Sequence, residues 1–303
     1  MAFIRLDGGQ YIALSTDVKI TAGVNQDARL VESDTGRRFV FTGAAWVELP
    51  SQVIDALGAA RGQHAGIITA DIYGQTLNAD NGILTDIWDI AAQPVWIAPT
   101  QARIHQIVST SADDDGNPAG AGARTIRVSG LTDWDAKETS EMIVMNGLTD
   151  VPTVNAYVMI NRLEVFTSGT SLNVGIITAT ADVDGGITCQ MTAGRGESLT
   201  TLCGFSSLQT MYVSRLYGNM LKSGGQAASC DISFCYNREP DQQTTNFVDK
   251  HTFGLISTGT SALTINYATP KVFAGPALIK MQVVSSINNL QVSAGYDHQL
   301  IDN

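Results

Sequence analysis

Asp113-Asp114-Asp115-Gly116-Asn117 is the sharpest candidate site in the chain. Side-chain oxygens at alternate positions, on Asp113, Asp115 and Asn117, match the opening of a calcium loop, where hard oxygen ligands surround a hard cation. The match then fails. Pro118 stands where such a loop needs its glycine, and Arg124 where it needs a bidentate glutamate, so the stretch reads as a solvated turn. Asp182-x-Asp184-Gly185-Gly186 offers the same idea with fewer ligands. The four histidines, His64, His105, His251 and His298, form no ligand pair at helical or strand spacing, which argues against zinc. No G-x-S-x-G elbow is present, and Gly194-Arg195-Gly196 lacks the continuation of a phosphate loop. The scattered carboxylates define no glycosidase pair. Trp134, between Asp133 and Asp135, can stack on a sugar ring or pack over the end of a sandwich. Nothing here assembles catalytic machinery or a cofactor site, so a non-enzymatic protein is expected.

The elements that carry these residues are strands. Gly122 to Thr153 organises the rest. Arg124 to Ser129 alternates, with Ile126 and Val128 on one face and Thr125 and Arg127 on the other. Gly130 is expected to break that strand. Glu141 to Met145 is a second strand, closed by Asn146-Gly147, a dipeptide tolerant of positive φ. Gly-Leu-Thr-Asp follows both strands, at Gly130 and at Gly147.

The same stretch carries a resemblance. ARTIRVSGL…DWD…SEMIVMNG…VPT, with Tyr157 to Arg162, Asn173-Val174-Gly175 and Ile177-Thr178, resembles a family of tailed-bacteriophage virion proteins. A Gly-Glu-Ser-Leu turn at Gly196 to Leu199 and the ending Leu290 to Asp297 add to it. It covers roughly Thr85 to the C-terminus and not the first eighty residues. What it implies is an assembled structural protein of the virion (head decoration, collar, or tail or fibre attachment), made in the host bacterial cytoplasm.

With 303 residues, the length suffices for one large β domain or two smaller ones. A net charge of −11 without any basic run excludes a nucleic-acid surface, which needs clustered Lys and Arg. MAFIRLDGGQ lacks the order of a signal peptide, and no apolar run reaches bilayer length, so no membrane partner is expected. Cys189, Cys203, Cys230 and Cys235 follow no C-x-x-C spacing and read as buried free thiols. Cys230 and Cys235, an odd number of residues apart in one strand, should point to opposite faces.

In chain order, residues 1–50 read as a β-hairpin module, with strands at Phe3–Leu6, Tyr11–Leu14, Leu30–Glu32, Arg38–Phe41 and Trp46–Leu49. Residues 51–84 read as a helix capped by Ser51 and ended by Gly62, then a connecting arm without periodicity. Residues 85–303 read as an all-β, antiparallel, jelly-roll-like sandwich, with room for two subdomains. Strands are expected around residues 87–97 and at Ile104–Val108, Val154–Phe166, Val174–Thr180, Ile187–Met191 and Leu199–Cys203. Met211–Met220, Ala228–Tyr236, Phe247–Ile256, Leu263–Tyr267, Ala277–Val284 and Leu290–Ile301 complete the set. The expected partners are other virion proteins, reached through residues 1–84, and further copies of the chain, with a trimer favoured by analogy with viral jelly rolls. The competing expectation is a carbohydrate- or receptor-binding module. That would need clustered aromatics in a chain only 7% aromatic.

Overall fold

The computed structural model describes all residues except 1–3, 7–8, 36, 49–57, 60, 63, 91, 222–226, 242–245 and 258–259. The helix expected from Ser51 falls largely outside the described residues. The chain divides into two compact units, Met1–His64 and Ala65–Asn303.

The first unit is one sheet of β1 (Ile4–Leu6), β2 (Gln10–Ala13), β3 (Arg29–Glu32), β4 (Arg38–Phe41) and β5 (Trp46–Glu48), in that spatial order. Alternation puts Tyr11, Ala13, Leu30, Phe39 and Phe41 into one small core. The expected hairpins β1–β2, β3–β4 and β4–β5 form. β2 and β3 pair in parallel, because residues 14–28 carry the chain back before β3 begins.

The described residues of the second unit form sixteen strands. The first seven are β6 (Ile67–Ala79), β7 (Leu84–Asp86), β8 (His105–Ser109), β9 (Ala123–Leu131), β10 (Thr139–Val144), β11 (Val151–Pro152) and β12 (Met159–Ser168). Next come β13 (Ile177–Ala181), β14 (Ile187–Met191), β15 (Cys203–Phe205), β16 (Gln209–Leu221) and β17 (Ala228–Asn237). Last are β18 (Val248–Ser257), β19 (Thr260–Ala274), β20 (Ala277–Ser285) and β21 (Leu290–Asp302). Two sandwiches result. One has the sheets β6-β21-β16-β19 and β15-β20-β17-β18, with β7 also on β20; the other has β10-β9-β12 and β11-β8-β13-β14.

β7 and β15 act as one strand. Leu84 pairs with Val284, Asp86 with Gln282, Cys203 with Ile279 and Phe205 with Ala277, a single descent along β20. Thr201, fully buried, closes the splice. Its hydroxyl donates to the Ile87 carbonyl at 3.0 Å and accepts the Met281 N–H at 3.0 Å. Counted so, the eight strands of the larger sandwich lie 1-8-3-6 in one sheet and 2-7-4-5 in the other, with every ladder antiparallel. That is jelly-roll order. The smaller sandwich, β8 to β14, is inserted within strand two.

Three departures from the expected layout have physical causes. Residues 67–79, expected as part of the arm, are β6, the first jelly-roll strand, paired along β21. The buried positions of β6 are Gly74, Thr76 and Ala79, so no apolar alternation marks it, and the β domain starts at 65 rather than 85. Gly130 does not break β9; it lies inside it, where a Cβ would sit 2.2 Å from the Met159 carbonyl oxygen. Glycine is there for close backbone approach at a bulge. The segment expected to start a strand at Val154 starts it at Met159 instead. Glu141 accepts the N–H groups of Val154 (2.8 Å) and Asn155 (3.0 Å) and the Tyr157 hydroxyl (2.9 Å), which holds those residues in a loop.

The jelly-roll core centres on Phe234, with Tyr296 edge-on at 5.3 Å and Phe273 tilted at 5.6 Å. Such pairs add about 0.5–1.5 kcal/mol each beyond their area burial. The insert has its own core of Ile107, Ile126, Val128, Leu163, Ile177 and Met191. A third cluster joins the two sandwiches: Trp88, Trp96 and Leu278 from one, and Leu131, Trp134 and Met159 from the other.

Candidate functional site

The Asp113–Asn117 loop is built for structure around the one aspartate that the calcium pattern passes over. Asp114 is fully buried. Its Oδ1 accepts the N–H groups of Ala123 and Val174, both at 2.8 Å. Its Oδ2 accepts the Ser109 hydroxyl at 2.6 Å and the Gly175 N–H at 2.8 Å. One carboxylate thereby ties β8, β9 and the approach to β13. A Cβ on Gly122 would stand 2.0 Å from Asp114 Oδ1, so only glycine allows the contact. The nominated ligands do not converge. Asp113 and Asn117 are exposed, and Asp115 Oδ1 accepts the Asn117 N–H at 2.8 Å. Among the described residues no group of three or more His, Cys, Asp or Glu side chains is placed to hold a metal ion.

Asp184, in the second acidic turn, accepts Arg103 Nε at 2.9 Å and the Thr100 N–H at 3.0 Å. These bonds, the arginine's first, hold its carboxyl at about 2. Trp134 is 9% exposed and packs in the joining cluster, which removes it as a sugar-stacking surface. Beside that cluster lies a buried ion pair, with Lys280 Nζ 2.8 Å from Asp86 Oδ1. Asp86 Oδ2 also accepts the Trp96 N–H at 2.6 Å. Trp88 and Trp96 donate their indole N–H groups to the carbonyls of Gln93 (2.9 Å) and Thr188 (3.0 Å). These anchors explain why residues 87–90 and 92–97, apolar enough for strands, form loop instead.

All four cysteines are free and buried. Burial pushes the thiols of Cys189 and Cys230 up to about 11 and that of Cys203 to about 12, which suppresses thiolate chemistry. Cys230 lines the jelly-roll core, while Cys235 donates to Asp249 Oδ1 at 3.1 Å outside that core. Two histidines are buried as well, His105 on β8 and His298 on β21, and desolvation lowers both to about 4.

A concave site that the sequence reading missed opens between β18 and β19, at the end of both jelly-roll sheets opposite β6 and β7. It has a volume of 270 Å³. Phe234, Phe273 and Val213 form an apolar floor, Tyr236 and Tyr267 the walls, and Lys250 and Lys271 the rim. In sequence these residues span 213 to 273, and only the pairing of β16, β17, β18 and β19 gathers them.

No protein-family model and no curated protein matches the chain. Among solved structures, a mutant VP2 protein of infectious bursal disease virus, in derived T=1 particles, is 8% identical over 84% of this chain and 85% of that one, with a TM-score of 0.12. A likeness at that score carries no argument.

Proposed function

We propose that this chain is a non-enzymatic structural protein of a tailed-phage virion, acting through protein–protein assembly at the head, the collar or the site of tail or fibre attachment. The observation that carries the reading is the jelly-roll strand order, of which every strand but β6 lies in the part of the chain that bears the sequence resemblance. Jelly rolls build viral capsid domains as well as lectins, so fold and resemblance point the same way.

The division of labour within the chain supports it too. Among the described residues of unit 1, six buried apolar side chains form the core of its sheet, and Val18, Ile20 and Val47 are exposed at 85%, 49% and 49%. A sheet with so small a core gains stability by covering a partner. With β6 inside the jelly roll, the attaching part contracts from residues 1–84 to residues 1–64. The homo-oligomer we favour is a trimer, by analogy with viral jelly rolls. Mass photometry should find about 97 kDa for three 32.2 kDa chains. Cryo-electron microscopy of intact particles should find both sandwiches in the density; particles that lack them overturn the reading. The open cavity between β18 and β19 favours a second role, binding to a sugar or receptor.

A further inference from the structure

Both outer strands on the open side of the jelly roll lose register beside the same cavity. Between Phe234 and Cys235 of β17, the partners on β18 jump from His251 to Asp249, so Lys250 is an extra residue. Between Val213 and Arg215 of β16, the partners on β19 jump from Lys271 to Asn266, so residues 267–270 stand outside the ladder. Bulges re-aim side chains and concentrate beside functional sites. Here the extra residues Lys250 and Tyr267, with the adjoining Lys271, line the 270 Å³ cavity.

We propose that this cavity binds an acidic saccharide, one pyranose ring carrying a carboxylate or a phosphate. Above the buried floor of Phe234, Phe273 and Val213, the half-buried rings of Tyr236 and Tyr267 offer apolar surface for the C–H face of the sugar ring. The anionic group then meets two ammonium groups. Lys250 Nζ lies 5.4 Å from the Tyr236 ring centre and Lys271 Nζ lies 5.2 Å from that of Tyr267. Among the described residues neither lysine has a carboxylate within 4.0 Å, although the chain carries a net charge of −11. In an acidic protein an anion must be drawn by such local cations, since the overall field repels it.

The walls are fixed in advance. The Tyr236 hydroxyl donates to the Ala274 carbonyl at 2.9 Å, and the Tyr267 hydroxyl meets His251 Nδ1 at 3.1 Å. Burial raises both phenols, so they stay neutral beside an anion. Walls held this way lose little freedom on binding. The volume suits one ring rather than an extended chain. An adjoining cavity of 340 Å³ shares Tyr236 and Lys250 and adds Asn237, Asn246 and the Arg238–Glu239 ion pair, polar company for a neighbouring sugar unit.

The inference stands apart from the virion reading, since either can fail without the other. Isothermal titration of the full chain with glucuronate, glucose 6-phosphate, glucose and inorganic phosphate tests it. Glucuronate and glucose 6-phosphate should bind, with glucose and phosphate at least tenfold weaker. K250M/K271M should weaken both acidic sugars at least tenfold with an unchanged melting temperature, while K250R/K271R retains them. The proposal is overturned if neither acidic sugar binds, if K250M/K271M binds them undiminished, or if inorganic phosphate binds as tightly as glucose 6-phosphate.

Discussion

The jelly roll and the sandwich inserted into it are both antiparallel, yet they are held together differently. The jelly roll relies on length. β16 pairs along nearly all of its thirteen residues with β21 on one side and β19 on the other. The insert has short strands, down to the five residues of β8 and the two of β11, and relies on single side chains that gather backbone groups. Asp114 accepts three N–H groups and a hydroxyl. Asn173 donates to the Gly175 and Thr192 carbonyls and accepts the Gly196 N–H. A ladder spreads stability over many weak bonds, whereas a hub concentrates it in one residue. Point substitutions should therefore act very differently in the two halves.

Asp114→Ala and, at the joint between the sandwiches, Lys280→Ala should give the two largest effects. Asp114→Ala leaves two buried N–H groups, of Ala123 and Gly175, and the part-buried one of Val174 without an acceptor, at about 1–3 kcal/mol for each buried group, so a loss of about 4 kcal/mol is expected in urea unfolding. Asp114→Asn keeps one acceptor oxygen and should lose about half as much. A loss below about 1 kcal/mol for Asp114→Ala would remove the distinction between hub and ladder. At the joint, Lys280→Ala strands the buried Asp86 carboxylate and should cost about 3–5 kcal/mol, while Lys280→Met with Asp86→Leu should be nearly neutral.

Acid offers a test that reaches both halves. His105 sits in the insert and His298 in the jelly roll, each lowered to about 4 by burial. Below pH 6.5 the unfolded chain takes up a proton on each that the folded chain refuses until about pH 4. Stability therefore falls as pH drops through that window, by at most about 3 kcal/mol per histidine. Melting temperatures from pH 7 to 4.5 should show the decline, and His298→Gln should flatten it. The smallest effect belongs to the ladder. Thr252→Val removes an exposed hydroxyl pair with Ser233 on β17 and β18 and should change stability by under about 0.5 kcal/mol.

This contrast also decides what could be read from the sequence. Long strands with one buried face announce themselves, so Ala228–Asn237 and Leu290–Asp302 stand within a residue of their expected ends. β6 stays hidden because its inner face, Ile72, Gly74, Thr76 and Ala79, carries a single large apolar side chain. The hubs are hidden for another reason. Asp114 looks like its neighbours Asp113 and Asp115, and only the arrival of Val174 and Gly175, some sixty residues on, makes it the buried one. The cavity is less legible still. Lysines and tyrosines at 236, 250, 267 and 271 follow no motif, and two register breaks bring them together.

On the proposed reading, the Ala65–Asn303 unit folds by itself and the first 64 residues hold it to a virion partner. The most direct measurement is the copy number, in purified particles, of a chain lacking residues 1–64, beside one lacking residues 1–84. The account predicts that the shorter deletion leaves a soluble, cooperatively melting protein absent from particles, and that the longer one removes β6 and leaves no cooperative melt. Incorporation of the 1–64 deletion at the full copy number would contradict it.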